Sequence, residues 1–396
     1  MVATIGNSMK DTKHNRAHKI KAHPSAIQKS ILVLFIGHSR KVFNLLLGIN
    51  NYRRQLVAQE QAVWSDFNDL DDELTRIKSL PEYAYLYEAP SQTLQQEVKH
   101  LKRAISGAIK HITKAPNFKR KDAYRQSFTV TNQDGGIVHR GPKAYFKCPK
   151  LKKLCGNDLI PLAEKPRFEG KIMSYTVVRE GDDWWVVVNV ELPEDPRTSE
   201  HPDSVCGVDV GIHTPAVCSD GTELHLPDTS REEANIRYYQ SKMDRSRNAN
   251  PNRQHVSNRF KKFKKKKRAL EKRITNKRID AIHKYTHEVT NNHGTVVVDA
   301  PSIQKIIKNM PGRGARKAAS KANMGEILRQ LKYKALNCIE ADKYYPSSQL
   351  CSVCGHRHPM PLNQRTYVCE QCGAVIDRDL NAARNLANYI SQARQA

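Results

Sequence analysis

Residues 346–386 read PSSQLCSVCGHRHPMPLNQRTYVCEQCGAVIDRDLNAARNL, and two chemistries lie side by side in them. Cys351, Cys354, Cys369 and Cys372 form C-x2-C-x14-C-x2-C. Each of the two turns offers a pair of thiolates, and four thiolates are the tetrahedral set that Zn²⁺ takes in a closed, structural site. Gly355 and Gly373 directly follow the second cysteine of each pair, where a backbone bending around a metal favours a residue free to take positive φ. Immediately beyond, Asp377, Arg378 and Asp379 head a helix that continues through Asn381, Ala382, Ala383 and Asn385. An acid in a first helical turn suits the positive helix end, and Asp377 reads as the N-cap. Asp379 reads differently. The small Ala382 and Ala383 let the helix pack closely and hold that carboxylate beside whatever else enters the site, so its partners must come from elsewhere in the chain.

The charge balance says what the chain works on. Across 396 residues, 66 Lys and Arg stand against 40 Asp and Glu, a formal net charge of +26. That excess calls for a polyanion, and nucleic acid fits better than a membrane surface. The longest uninterrupted apolar run, Ile31 to Ile36, is far too short to span a bilayer, no lipidation motif is present, and residues 1–24 are polar and basic without the apolar core of a signal peptide. The expected compartment is reducing and intracellular, a cytoplasmic and nucleoid-associated setting in which four cysteines bind zinc and the other five are free thiols.

Residues 20–110 predict helices. Ile27, Ile31 and Leu34, followed by Val42, Leu45, Leu46 and Ile49, recur at helical spacing, and Pro24-Ser25 is a place for a helix to start. A second helix is expected after Pro90-Ser91, with Leu94, Val98, Leu101, Ile105 and Ile109 on one stripe. From Ala115 the pattern changes to short strands and turns. Asn117 to Lys121 and Tyr124 to Phe128 interleave aromatics with cations, which makes Lys119, Arg120, Arg125 and Gln126 candidates for contacts to bases and phosphates. Two strands, Gly170 to Glu180 and Trp184 to Leu192, joined by Gly181-Asp182-Asp183, suggest a small antiparallel barrel, and Pro193 to Pro202 reads as a linker.

Past the linker, Val205 to Gly211 is an apolar strand carrying one carboxylate, Asp209, and a charge there is costly unless it is paired or bound to metal. Between Arg253 and Arg278 thirteen Lys and Arg face a single acid, Glu271. Phe260, Phe263, Leu270, Ile274, Ile282 and Val289 recur among them, so a long helix is expected with one apolar face and the rest basic, Arg259, Lys262, Lys265 and Lys266 aimed at a nucleic-acid backbone. Gly294 to Val298 is a β-branched strand ending in Asp299, Pro311 to Ser320 reads as a Gly, Arg and Lys loop, and Glu326 to Leu336 as a helix. Asp209, Asp299 and Asp379 then form a set, two at strands and one at a helix start. Converging carboxylates repel, so the set asks for divalent cations, Mg²⁺ or Mn²⁺, of the kind that drive two-metal phosphodiester hydrolysis.

The succession VDVG, long basic helix, VVVD, CSVCG and CEQCG, then DRDLNAARNL resembles the TnpB (OrfB) family, transposon-encoded RNA-guided DNA nucleases related to type V CRISPR effectors. KAHPSAIQKSILVLF, PSQTLQQEVKHLKRA, PNFKRKDAYRQSF and GEILRQLKYKA extend the resemblance through the whole chain. It implies an α+β multidomain fold: a wedge β-barrel (1–23 and 115–200) interrupted by a helical recognition domain (24–114), then an RNase H-like (RuvC) nuclease domain (201–345 and 376–396) with the zinc ribbon (346–375) inserted. It also implies that Asp209 and Asp379 are the first and third catalytic carboxylates. Asp299-Ala300-Pro301-Ser302 stands where the family carries its second, normally a glutamate. The partners implied are a guide RNA and a double-stranded DNA target. Two functions stay open at this point: a metal-dependent, RNA-guided DNA endonuclease, or a nuclease-deficient RNA-guided DNA-binding protein acting as a repressor.

Overall fold

The computed structural model describes residues 14–132, 135–249, 256–299, 308–361 and 364–393, and the chain divides into two compact units that part between Pro196 and Arg197. The expected context Ala300-Pro301-Ser302, the first thirteen residues and Arg253 lie outside the described residues.

The first unit opens with strand β1 (His14–Ala22) and helix α1 (Ala26–Ala58). Ser25 starts α1 through a capping box: its hydroxyl accepts from the Gln28 backbone N–H at 3.2 Å, and the Gln28 side-chain Oε1 accepts from the Ser25 N–H at 3.0 Å. The buried face of α1 is Leu32, Phe35, Ile36, Val42, Phe43, Leu46 and Leu47, while Ile27 is 64% exposed. Of the expected stripe, Ile31, Val42, Leu45, Leu46 and Ile49 do pack in the core but Ile27 and Leu34 are exposed, because the unbroken run ILVLFI offers an apolar residue on every side and packing chooses among them. By length and composition α1 could cross a membrane, yet half of that apolar window is buried within the protein, and Arg53 near its end forms a buried ion pair at 2.5 Å with Glu73 of α2 (Leu70–Ser79). In α3 (Ser91–Ile109), Leu94, Val98 and Leu101 are fully buried, but Ile109 in the final turn is 72% exposed.

The strands of this unit are β2 (Arg125–Thr131), β3 (Gly136–Arg140), β4 (Lys143–Lys147), β5 (Leu159–Pro161), β6 (Lys171–Glu180) and β7 (Asp183–Leu192), with a short helix α4 (Leu151–Cys155) after β4. They form two antiparallel sheets, β1-β7-β6-β2 and β3-β4-β5, rather than one closed ladder among the described residues. A single bridge, Ala22 to Leu162, stitches β1 to the end of β5, and Phe146 packs on Tyr175 at 5.1 Å between the two sheets. The β6–β7 hairpin turns on Gly181-Asp182, with Gly181 at φ 65°.

The second unit is built on β8 (Val205–Asp209), β9 (Val217–Cys218), β10 (Thr295–Val298) and β11 (Asn337–Glu340) in the order β11-β10-β8-β9. β10 is parallel to both neighbours and β9 is antiparallel to β8. Helices α5 (Ser230–Asn248) and α6 (Asn258–Asn292) pack on each other, followed by α7 (Gly312–Lys321), α8 (Met324–Lys334) and α9 (Arg378–Ala393), with the small β12 (Thr366–Val368) and β13 (Val375–Asp377) hairpin before α9. Strand alternation sorts the sheet into two faces. Cys206, Val208, Val296 and Val298 share a core with Ile282, Tyr285 and Val289 of α6 and Ile327 and Leu331 of α8, whereas Val297 packs with Leu386 of α9. The loop expected over Pro311 to Ser320 is α7 instead: Ala315, Ala318 and Ala319 outweigh the two glycines in helix propensity, and Ala319 and Ala322 are buried at 2% and 3% exposure.

Candidate functional site

The parallel register pairs Val208 with Val298, so Asp209 and Asp299 leave adjacent strands side by side at the same end. Alternation turns both toward the α9 face, together with Gly207 and Val297. α9 comes unusually close there. A Cβ on Gly207 would stand 2.0 Å from the Ala383 carbonyl oxygen and 2.5 Å from the Ala387 nitrogen, so only glycine fits. Ala382 and Ala383 are buried against the sheet, which is the close approach their size allows. Asp377 is the N-cap: its Oδ1 accepts from the N–H of Asp379 at 2.9 Å and of Leu380 at 3.1 Å. Asp379 therefore sits in the first turn of the helix that packs over the other two acids.

The electrostatics register that convergence. Burial, then the charges of Asp379 and Asp299, push the Asp209 carboxyl up to about 7, against the smaller pull of Arg378 and the Val210 N–H. Burial also raises Asp379, opposed first by Arg365, whose Nη1 lies 3.4 Å from Asp379 Oδ2. Arg365 gives no sign of this role in the sequence. It belongs to the cysteine ribbon, fourteen positions before the carboxylate it meets, and no spacing rule links the two.

In the ribbon the four sulfurs lie within 4.8 Å of one another, with Cys351 Sγ 3.7 Å from Cys372 Sγ and Cys354 Sγ 3.5 Å from Cys369 Sγ. A tetrahedron with arms of about 2.3 Å has edges of about 3.8 Å, so the donor set fits one Zn²⁺. Each knuckle closes by a backbone bond, Gly355 N–H to Cys351 C=O at 2.9 Å and Gly373 N–H to Cys369 C=O at 3.0 Å, with the glycines at φ 77° and 69°. Backbone N–H groups of Cys372 and Gln371 draw the Cys369 thiol down, while the crowding of the sulfurs pushes Cys354 and Cys372 up, so the set holds fewer than four thiolates until a cation joins it. Two buried asparagines of α9 fasten the ribbon to the helix. Asn381 accepts from the Ser352 N–H at 2.9 Å and donates to Leu350 C=O at 2.7 Å, and Asn385 donates to Ser347 C=O at 2.8 Å. The run DRDLNAARNL thus carries an N-cap, an acid, two small contact residues and two staples in a single segment.

The expected nucleic-acid contacts divide. Lys119, Arg120, Arg125 and Gln126 line one hollow of about 200 Å³ together with Arg40, which is on α1 and was missed because no aromatic neighbour marked it. Lys119 is committed to the fold: its ammonium pairs with Glu97 and lies 4.2 Å over the Phe43 ring, and its backbone exchanges hydrogen bonds with Asn44 at 2.8 and 3.0 Å. Of the aromatics in that stretch, Phe128 is buried edge-on to Phe35, which leaves Phe118 and Tyr124 exposed. On α6, Arg259, Lys262, Lys265 and Lys266 are each at least partly exposed. Farther along the same helix Lys277 and Arg278 pair with Glu232 (2.5 Å) and Glu233 (3.2 Å) of α5, so those two cations are neutralised within the fold.

Two family models match the chain: one described as "Probable transposase" (OrfB of IS605) over residues 187–309, and the Cas12f1-like TNB domain over residues 325–386, which includes all four cysteines. A Streptomyces pristinaespiralis protein named an RNA-guided DNA endonuclease is 30% identical over 94% of this chain and 88% of its own length. The Escherichia coli K12 RNA-guided DNA endonuclease InsQ is 27% identical over 94% and 92%. The fold resembles the protein in the cryo-EM structure of a Cas12f1–sgRNA–target DNA complex, with a TM-score of 0.52 at 15% identity, over 91% of this chain and 83% of that one. A relationship that runs through nearly the full length of both chains, and includes the cysteine ribbon and the helix after it, makes this chain a member of the TnpB (OrfB) family.

Proposed function

We propose that this protein is a transposon-encoded, RNA-guided, divalent-metal-dependent DNA endonuclease that uses a guide RNA from the transposon end and a short flanking motif in double-stranded DNA. The observation that carries the reading is the convergence of Asp209, Asp299 and Asp379 at one end of two neighbouring parallel strands and in the first turn of α9. It supports an RNase H-like (RuvC) fold for the second unit, with the zinc ribbon inserted ahead of α9. By the same reading the first unit is a wedge β-barrel interrupted by the helical recognition domain. A cytoplasmic, nucleoid-associated protein follows from that function.

Three carboxylates are an all-oxygen donor set suited to a hard cation, and the elevated Asp209 carboxyl is what a set short of positive charge produces. Mg²⁺ or Mn²⁺ bound there would activate a water and stabilise the departing 3′ oxygen of the cut strand. The chain's own groups do the holding: Arg365 restrains the Asp379 carboxylate, and Gly207 admits α9, whose first turn carries Asp379, close against the strand that ends in Asp209. Asp299 is one methylene shorter than the glutamate usual in the family, a reach deficit on the order of 1.5 Å from standard bond lengths. Mg²⁺ keeps several waters and tolerates a ligand bound through one of them. Arg259, Lys262, Lys265 and Lys266 contact phosphates and position the duplex, while base pairing with the guide reads sequence.

The test is to purify the protein with its co-expressed RNA, sequence that RNA, and incubate the complex with matched DNA and Mg²⁺ or Mn²⁺. Cutting by the wild type is expected, with Asp209→Ala and Asp299→Ala each reducing it by about three or more orders of magnitude, the scale seen when an essential member of a catalytic set is removed. Guide-dependent binding without cutting under either metal, with cutting restored by Asp299→Glu, would replace this reading with the nuclease-deficient repressor.

A further inference from the structure

On the sheet face opposite the carboxylates, Cys206 of β8, Cys218 of β9 and His293 at the end of α6 bring their ligand atoms within 4.8 Å of one another. Both cysteines are fully buried, and each is a free thiol. The imidazole is set from both sides: Nδ1 lies 2.7 Å from Ser204 Oγ and Nε2 lies 3.1 Å from Asp220 Oδ2. Asp220 is itself hydrogen-bonded to Cys218 as well as to His293, and its other oxygen accepts from the Thr222 N–H at 2.8 Å. A fixed ring, with one nitrogen bonded to a hydroxyl and the other turned to a carboxylate and a thiol, is how proteins orient a metal-binding histidine.

A second observation points to the same place. Tyr285, 4% exposed, lies beside Cys218, Cys206 and Asp220, and its hydroxyl has no hydrogen-bond partner among the described residues. An orphaned buried hydroxyl costs about 1–3 kcal/mol, and a bound ion with its water is one of the things that relieves such a group. Packing alone accounts for two buried cysteines, because free cysteine behaves as a small apolar residue. It does not account for the aligned imidazole, the carboxylate and the orphaned phenol gathered around them.

We infer that Cys206, Cys218 and His293 form a second Zn²⁺ site, separate from the ribbon, that ties the β8–β9 hairpin to the end of α6, with a water as fourth ligand and Asp220 as the carboxylate that orients the set. Two thiolates and an imidazole with a water are a donor set Zn²⁺ takes in four-coordinate sites, and the cation has a way in, since the Asp220 side chain is 32% exposed and that of His293 15%. Both strands tied here belong to the sheet that carries the carboxylates: Asp209 ends the strand that holds Cys206. The site is a clamp on the strand that presents Asp209, built on the face that substrate does not need.

The experiment uses the full-length protein purified without chelator, dialysed against trace-metal-free buffer, with zinc measured per chain and the average zinc environment read by X-ray absorption. About two zincs per chain are expected, with an average shell of about three sulfurs and one nitrogen or oxygen, the mean of an S4 and an S2NO site. Cys206→Val with Cys218→Ala keeps the apolar core filled and should reduce the protein to about one zinc in an all-sulfur shell; His293→Gln should do the same with both thiols retained. One zinc per chain with four sulfurs in the wild type overturns the proposal, as does a second zinc that survives either variant. The sulfur count also separates this site from the ribbon, so loss of one is not mistaken for loss of the other.

Discussion

In the ribbon, each pair of thiolates lies three residues apart on one glycine-closed turn, and local backbone bonds aim the sulfurs before any distant part of the chain is involved. The carboxylate centre has the opposite construction. Its members come from positions 209, 299 and 379, are brought to one end only because two parallel strands and a helix are packed together, and the charges of Asp379 and Asp299 then oppose the ionisation of Asp209. A set of ligands written locally folds around its metal, whereas a set assembled by the fold is held against its own repulsion. The two are nonetheless joined, since Arg365 reaches from the ribbon to Asp379.

The join is where the comparison breaks most visibly. Cys369→Ser should release the ribbon zinc, and because structural zinc binding is worth on the order of 10 kcal/mol in small zinc domains, residues 350–377 should lose hydrogen-exchange protection while the sheet keeps its own. Cleavage should fall about tenfold or more although every carboxylate is intact. Arg365→Ala should reproduce much of that loss with the zinc content unchanged, which separates the guanidinium from the ribbon's general support. Full activity in both variants would show the ribbon and the acids to be independent.

How much of this was legible before folding follows the same division. The four cysteines, their two glycines and the cap at Asp377 could be read because each lies within one turn of the residue it serves, and the small pair Ala382-Ala383 because size alone announces a close approach, though not to what. Gly207 stood in plain view inside VCGVDV, but its purpose exists only once the Ala383 carbonyl is 2.0 Å from where a Cβ would be. Arg365, Arg40 and the group of Cys206, Cys218 and His293 were invisible for a related reason: long loops and whole helices separate them from what they touch. Local composition misled at α7, where Gly and Arg suggested a loop and three alanines made a helix, and at Lys119, whose charge belongs to Glu97. The +26 net charge announced a polyanion without saying which cations were spare.

α6 sharpens the comparison inside a single element, since Lys277 and Arg278 pair with acids of α5 while Arg259, Lys262, Lys265 and Lys266 are exposed. Replacing Arg259, Lys262, Lys265 and Lys266 together by alanine should weaken nucleic-acid binding uniformly across sequences and flatten the log–log salt dependence by roughly 0.7–0.9 for each phosphate no longer neutralised. The same treatment of Lys277 and Arg278 should cost stability rather than salt sensitivity. Equal slopes for wild type and the fourfold variant would show that the displayed cations are only a solvated face.

The smallest effect is the one that isolates repulsion from chemistry. Asp209 has its carboxyl raised from 3.8 to about 7 in the folded protein. For an acid whose folded value lies above its unfolded one, the folded state binds the extra proton, so the penalty is absent below about pH 4, grows between about 4 and 7, and is complete above about 7. Asp209→Asn removes the charge at nearly constant shape. In the absence of divalent metal the variant should therefore melt a few degrees above the wild type at about pH 8, and the gap should close as the pH is lowered to about 4. Adding Mg²⁺ should raise the melting temperature of the wild type and leave the variant almost unmoved, because a cation that binds only the folded carboxylate set stabilises it by mass action. If the metal-free wild type were the more stable at that alkaline pH, the three acids would not be opposing one another, and the contrast between a ligand set written locally and one held together by the fold would fail at its most direct point.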